Sequence, residues 1–111
     1  MYFKLDENKN VIKSSLEEWC DFIEGRLPTN YKHVADEKVN DKRISTIFIG
    51  LCYDFNNSGI PMVFETMVFD HGQGIYQTRC ATWQEAEEGH QKAIEWVKNG
   101  CIEEEEESNV T

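Results

Sequence analysis

Apolar and polar positions along the chain recur with two different periods, and the switches between them mark out eight elements. Y-F-K-L-D-E-N-K-N-V-I-K holds two short apolar segments around E-N-K-N, whose asparagines tolerate turn conformations, so a small N-terminal hairpin is predicted. Ser14 and Ser15 then precede Glu17 and Glu18 at capping-box spacing. Leu16, Trp19, Cys20, Ile23 and Leu27 follow at helical intervals, giving a helix that stops near Gly25 and Pro28. The period returns to two from Tyr31 to Val39, N-D-K at 40–42 turns the chain, and Arg43 to Phe55 is rich in β-branched and aromatic residues. After a turn at N-N-S-G, Pro61 to Asp70 and Ile75 to Ala81 read as two more strands joined through H-G-Q-G. Thr82 and Glu85 form a second capping box, and Ala86, His90, Ala93, Ile94 and Val97 share one helical face until Asn99-Gly100.

The order ββ-α-ββββ-α, with hairpin-length turns, predicts an α+β fold: an antiparallel sheet of four to six strands with two helices packed on it. The central strand is apolar on both alternations, with Ile47, Ile49 and Leu51 on one side and Ile44, Phe48 and Cys52 on the other. Two helices cannot cover both faces of such a sheet, so the N-terminal hairpin or another copy of the chain must close the second, and a homo-oligomer is expected.

Length and composition narrow the class. The 111 residues, 40% apolar, suffice for one core, so residues 1–100 are read as a single domain. Of the net charge of −10, half comes from Glu103 to Glu107. Residues 101–111 therefore read as an acidic, disordered tail. Residues 1–100 carry 16 acidic and 11 basic side chains, which argues against direct nucleic-acid binding. No apolar run reaches the roughly 18 residues of a membrane span, and M-Y-F-K-L-D-E lacks a signal-peptide layout. Cys20, Cys52, Cys80 and Cys101 stand without a C-x-x-C pair or a histidine at ligand spacing, as expected of reduced thiols. A cytoplasmic protein with no membrane association, no metal and no cofactor is expected.

The chemistry-bearing positions lie in the strands. In F-E-T-M-V-F-D, Glu65 falls in a row with Val63, Met67 and Phe69, while Thr66 falls between Phe64 and Val68. A carboxylate buried there without partners would cost several kcal/mol, so Glu65 needs a cation, donors or a ligand. Arg79 in the next strand, His90 on the last helix and His33 are the partners available. They lead either to a structural network or to a ligand site. The candidate ligand-binding set is Glu65, Thr66, Arg79, His90, Lys42 and Arg43, with Ser45 and Thr46 ranked lower. Asp70-His71 sits in a turn where exposed polar residues are expected, and no recognised catalytic spacing occurs.

I-S-T-I-F-I-G-L at 44–51, P-M-V-F-E-T-M-V-F at 61–69 and Y-Q-T-R-C-A-T-W-Q-E-A-E-E-G-H at 76–90 together resemble a family of small phage and prophage proteins, over about half of the chain. Members of that family tend to carry an Asp-His pair after the Gly-Leu, where this chain has Cys52 and Tyr53, so no role of that pair carries over. What the resemblance implies is a viral accessory protein. The leading expectation is stoichiometric binding that counters a host antiviral defence, by sequestering a nucleotide signal or by blocking a defence protein. An alternative is nucleic-acid mimicry by Glu17, Glu18, Asp21 and Glu24 or by Glu85, Glu87 and Glu88. A third is a small hydrolase with Glu65 as base and His90 as acid, which requires both in one pocket.

Overall fold

The computed structural model describes residues 1–24, 32–52 and 60–101. The acidic tail from residue 102, the N-N-S-G turn, Leu27 and the helix stop at Gly25 and Pro28 lie outside the described residues. Two tight turns organise the main sheet. Asn40 and Asp41 both have positive φ (50° and 65°), as do His71 and Gly72 (53° and 83°). Each pair makes the two-residue connection whose twist matches antiparallel strands. They join β3 (His33–Val39) to β4 (Lys42–Phe48) and β5 (Phe64–Asp70) to β6 (Gln73–Cys80), in a sheet of order β3-β4-β5-β6. A second, two-stranded sheet pairs β1 (Tyr2–Leu5) with β2 (Val11–Ser14). With α1 (Leu16–Ile23) and α2 (Trp83–Lys98), the order is ββ-α-ββββ-α, an α+β fold.

Helix α1 starts on a complete capping box: Glu18 N–H donates to Ser15 Oγ at 3.1 Å and Ser15 N–H donates to Glu18 Oε1 at 3.1 Å. Helix α2 departs from the expected box. Thr82 Oγ1 accepts from Glu85 N–H, but the Glu85 carboxylate reaches back to Ala81 N–H, one residue earlier than the box requires. Neither helix is long and apolar enough to cross a membrane.

The predicted strand 43–55 ends early, and the reason is Gly50. Ile49 and Gly50 both donate to Val63 O, and Gly50 has φ 67°. A Cβ on Gly50 would stand 2.6 Å from Phe3 O, 2.7 Å from Trp19 Nε1 and 2.8 Å from Phe48 Cε2, so only glycine fits. Past this bulge the chain leaves β5 and joins the small sheet: Phe3 N–H donates to Gly50 O, and Leu51 bridges Tyr2. The hairpin and α1 are thereby fastened to one end of the main sheet.

Helix α2 covers one face. Ile44 and Val68 pack against Ala93, Ile94 and Val97, while Phe48 and Phe64 join Phe3, Leu5, Phe22 and Ala86 in a second cluster towards the hairpin. Phe22, Phe48 and Phe64 are fully buried and stack edge to face, each contributing about 1.5–3 kcal/mol by burial. The opposite face carries Arg43, Ser45, Ile47, Glu65, Met67, Phe69, Gln77 and Arg79, and among the described residues only α1 stands at its border.

Candidate functional site

Alternation along β5 sends the expected site residues to opposite sides of the sheet. Thr66 faces α2 and is 3% exposed. Its hydroxyl lies 2.8 Å from Thr46 Oγ1, which lies 2.7 Å from His90 Nδ1, and His90 Nε2 is 2.8 Å from Glu37 Oε1. With a neutral imidazole, His90 Nε2–H donates to the carboxylate and Thr46 O–H donates to Nδ1. Thr66 O–H then donates to Thr46, and every polar atom in the relay is matched. A hydroxyl, an imidazole and a carboxylate in line resemble a nucleophile with its base and orienter. Thr46, however, is 0% exposed, buried between the sheet and α2, and is not among the residues lining the cleft described below. The relay bonds α2 to three strands of the sheet, and it does so without Glu65.

Glu65 points the other way. Its Oε2 accepts from Gln77 Nε2 at 2.6 Å and from Arg79 at 3.4 Å. The Glu65 side chain is 18% exposed and that of Arg79 44%, so the pair is a half-solvated one contributing about 0–1 kcal/mol, not the costly buried charge expected from the strand pattern. Glu65 and His90 therefore share no pocket, and neither the Glu65–His90 network nor the acid/base pairing of the two is formed. Lys42 and Arg43 also lie apart from Glu65. Lys42 Nζ sits 3.3 Å from Asp41 and 3.9 Å from Asp70 at the turn end. Arg43 makes a two-pronged bond to Asp36 (2.6 and 3.0 Å) and lies over the Phe69 ring.

What the open face does hold is a cleft of about 500 Å³ between α1 and the sheet. Trp19, Ile23, Ile47, Ile49 and Leu51 supply its apolar walls, with Lys32, His33, Glu65 and Arg79 bringing charge or polarity. Strand register explains the arrangement: His33 is opposite Ile47, Ile47 opposite Glu65, and Glu65 opposite Arg79, one straight row across all four strands. At strand spacing this row sets His33 and Arg79 about 14–15 Å apart at Cα. Trp19 is fixed by donating from Nε1 to Ile49 O at 3.0 Å and by packing on Tyr2, while Lys32 Nζ donates to Ile23 O at 2.8 Å. The cleft is thus held from both sides, in the size range of small-molecule sites.

Of the expected ligand set, Glu65 and Arg79 line this cleft; Thr66, His90, Lys42 and Arg43 do not. The sequence shows Trp19 and Ile23 only as apolar positions of the first helix and does not single out Lys32. The signal for them was the second apolar row, Ile47, Ile49 and Leu51, which required a covering element. Asp70 and His71 bond each other at 2.7 Å in the turn, with the His71 side chain 84% exposed. Among the described residues no group of three or more His, Cys, Asp or Glu side chains is arranged to hold a metal ion. No family model, no curated protein and no solved structure matches the chain.

Proposed function

We propose that this chain is a stoichiometric binding protein whose cleft takes a nucleotide-like ligand, and that it serves as a phage-type accessory protein holding a nucleotide signal of host antiviral defence. The cleft is the observation that carries this reading. It offers an aromatic and aliphatic wall for a base, led by Trp19, and a cation at its rim. Glu65 takes at most two of the five guanidinium donors of Arg79, leaving the others for a phosphate. Lys32 and His33 extend the polar rim on the opposite flank.

Acidic mimicry is less favoured by the geometry. Glu18 is committed to the Ser15 cap and to Lys4 at 3.0 Å, and Glu85 to Ala81 N–H, so the acidic faces of both helices are partly spent on the fold. A hydrolase built on Glu65 and His90 lacks its common pocket.

The test is calorimetric titration of the full chain with mononucleotides and with cyclic and linear oligonucleotides, alongside tryptophan fluorescence with Trp19→Phe as the control. Saturable binding with quenching lost in Trp19→Phe is expected. Arg79→Met is expected to weaken binding at least tenfold, the order of one charge-assisted bond, with the melting temperature nearly unchanged. Absence of binding by every nucleotide class, or an Arg79→Met protein that binds as the parent does, would refute the cleft as the site.

A further inference from the structure

The two oxygens of Glu65 are used unequally. Oε2 accepts from Gln77 Nε2 at 2.6 Å and lies 3.4 Å from both Nε and Nη2 of Arg79, so three donors converge on one atom. Oε1 makes no hydrogen bond among the described residues. Gln77 holds the carboxylate from outside the cleft, whereas Glu65 itself lines it. A carboxylate accepts at both oxygens, and its open one calls for a donor once a ligand displaces water from the wall. The position of Glu65 says which part of a ligand brings that donor. Ile47 on β4, Glu65 on β5 and Arg79 on β6 stand in one row on neighbouring strands, about 5 Å apart at each step. The row presents an apolar step, an acceptor and a cation, the order in which a nucleotide presents its base, its sugar hydroxyls and its phosphate.

We infer that the cleft selects ribonucleotides over deoxyribonucleotides, the ribose 2′-hydroxyl donating to Glu65 Oε1. The inference rests on the nucleotide reading above and adds the sugar to it. A phosphate does not take the place beside Glu65, because both groups only accept hydrogen bonds and their charges repel. It is kept to the outer donors of Arg79, and the group next to it on the Ile47 side must donate. A base edge with two parallel donors needs both carboxylate oxygens, one of which is already filled, whereas a lone hydroxyl needs only Oε1. In a 3′–5′-linked nucleotide the 3′ oxygen is esterified, so the 2′-hydroxyl is the sugar donor that remains. That hydroxyl is also what distinguishes ribose from deoxyribose. An analogue without it leaves Oε1 unpaired beneath the bound ligand, which is how a polar site rejects a close relative of its substrate.

Calorimetric titration of the full chain with matched sugars tests this. The probes are adenosine and guanosine 3′,5′-cyclic monophosphates and the 3′–5′-linked cyclic diadenylate and diguanylate, each in ribo and 2′-deoxy form. The parent is expected to bind a ribo probe at least tenfold more tightly than its deoxy counterpart. In Glu65→Ala the ratio is expected to fall to about one, with affinity for the deoxy probe held or raised because Arg79 loses its competing anion. A merely structural role of Glu65 would lower both affinities together. Glu65→Gln is the second route and keeps the shape of the side chain. Its carbonyl oxygen stays with Gln77 and Arg79, its amide turns a donor to the ligand, and the ratio is again expected to collapse. Ribo and deoxy probes bound alike by the parent overturn the inference and leave the nucleotide reading standing. A ratio that survives in the folded Glu65 variants overturns it too, because the hydroxyl is then read elsewhere. Failure of every probe in both sugar forms overturns the inference together with the reading it rests on.

Discussion

Thr46 and His90 show how much a polar side chain costs when its partner is removed. Both are almost wholly buried, and each satisfies the other at 2.7 Å. In His90→Leu the hydroxyls of Thr46 and Thr66 are left to bond only each other, and Glu37 loses its donor. A loss of about 2–4 kcal/mol in urea-unfolding free energy is expected. Thr46→Val leaves the His90 nitrogen bare and is expected to cost about 1–3 kcal/mol, but the double variant should be less than additive, since the two single changes break the same bond. Additive losses would show that the relay is not a unit. The strand pattern placed Thr66 and the helical stripe placed His90 in apolar rows, which made both legible as polar groups set among buried positions. Which partners they found was not legible: whether Glu65 or Glu37 reaches His90 depends on which face of β5 turns to the helix, and β5 is apolar on both.

At the level of elements, the α1 capping box, the Thr82 N-cap, the turn at Asn40-Asp41 and the apolar stripe of α2 were readable because each is a local signature. Ser15 with Glu18, and Asn40-Asp41, declare themselves within four residues. The end of β4 was not readable, because Ile49, Leu51 and Phe55 continue its β pattern and the bulge at Gly50 is imposed by Val63, Phe3 and Trp19 from distant parts of the chain. Gly50→Ala adds a Cβ to a left-handed residue inside three close contacts and is expected to destabilise by about 2–4 kcal/mol. The loss should be accompanied by a change in Trp19 emission, because the indole bonded to Ile49 O must move. An alanine variant as stable as the parent would show that the bulge relaxes freely. Gly72 is the contrasting control, with positive φ but nothing within 4 Å, so its alanine variant should suffer only the backbone strain.

For the whole molecule, acid stability follows from where the carboxylates are engaged. Asp36 is held below its ordinary value by its bonds to Arg43, Asp6 by the backbone N–H of Asn10, and Glu18 by the Ser15 N–H and Lys4. A carboxylate with a depressed folded value binds fewer protons folded than unfolded. Its contribution is complete above the ordinary values of 3.8 for Asp and 4.5 for Glu, and is lost as pH falls through the folded value. Urea midpoints should accordingly be level above the carboxylate range and decline below it, with Arg43→Met flattening part of the decline. A midpoint that rises on acidification would contradict these assignments. The fastening of the hairpin to Leu51 has a consequence for synthesis. Phe3, Leu5 and Phe22 emerge early, yet of Phe48, Val63 and Phe64, which bury them, only Phe48 follows at about half the distance, while Val63 and Phe64 are made some forty residues after α1. At about 5–20 residues per second the first helix waits roughly 2–8 s with its apolar side in water, so folding speed in the cell is set by the arrival of β5 and not by the formation of any local element.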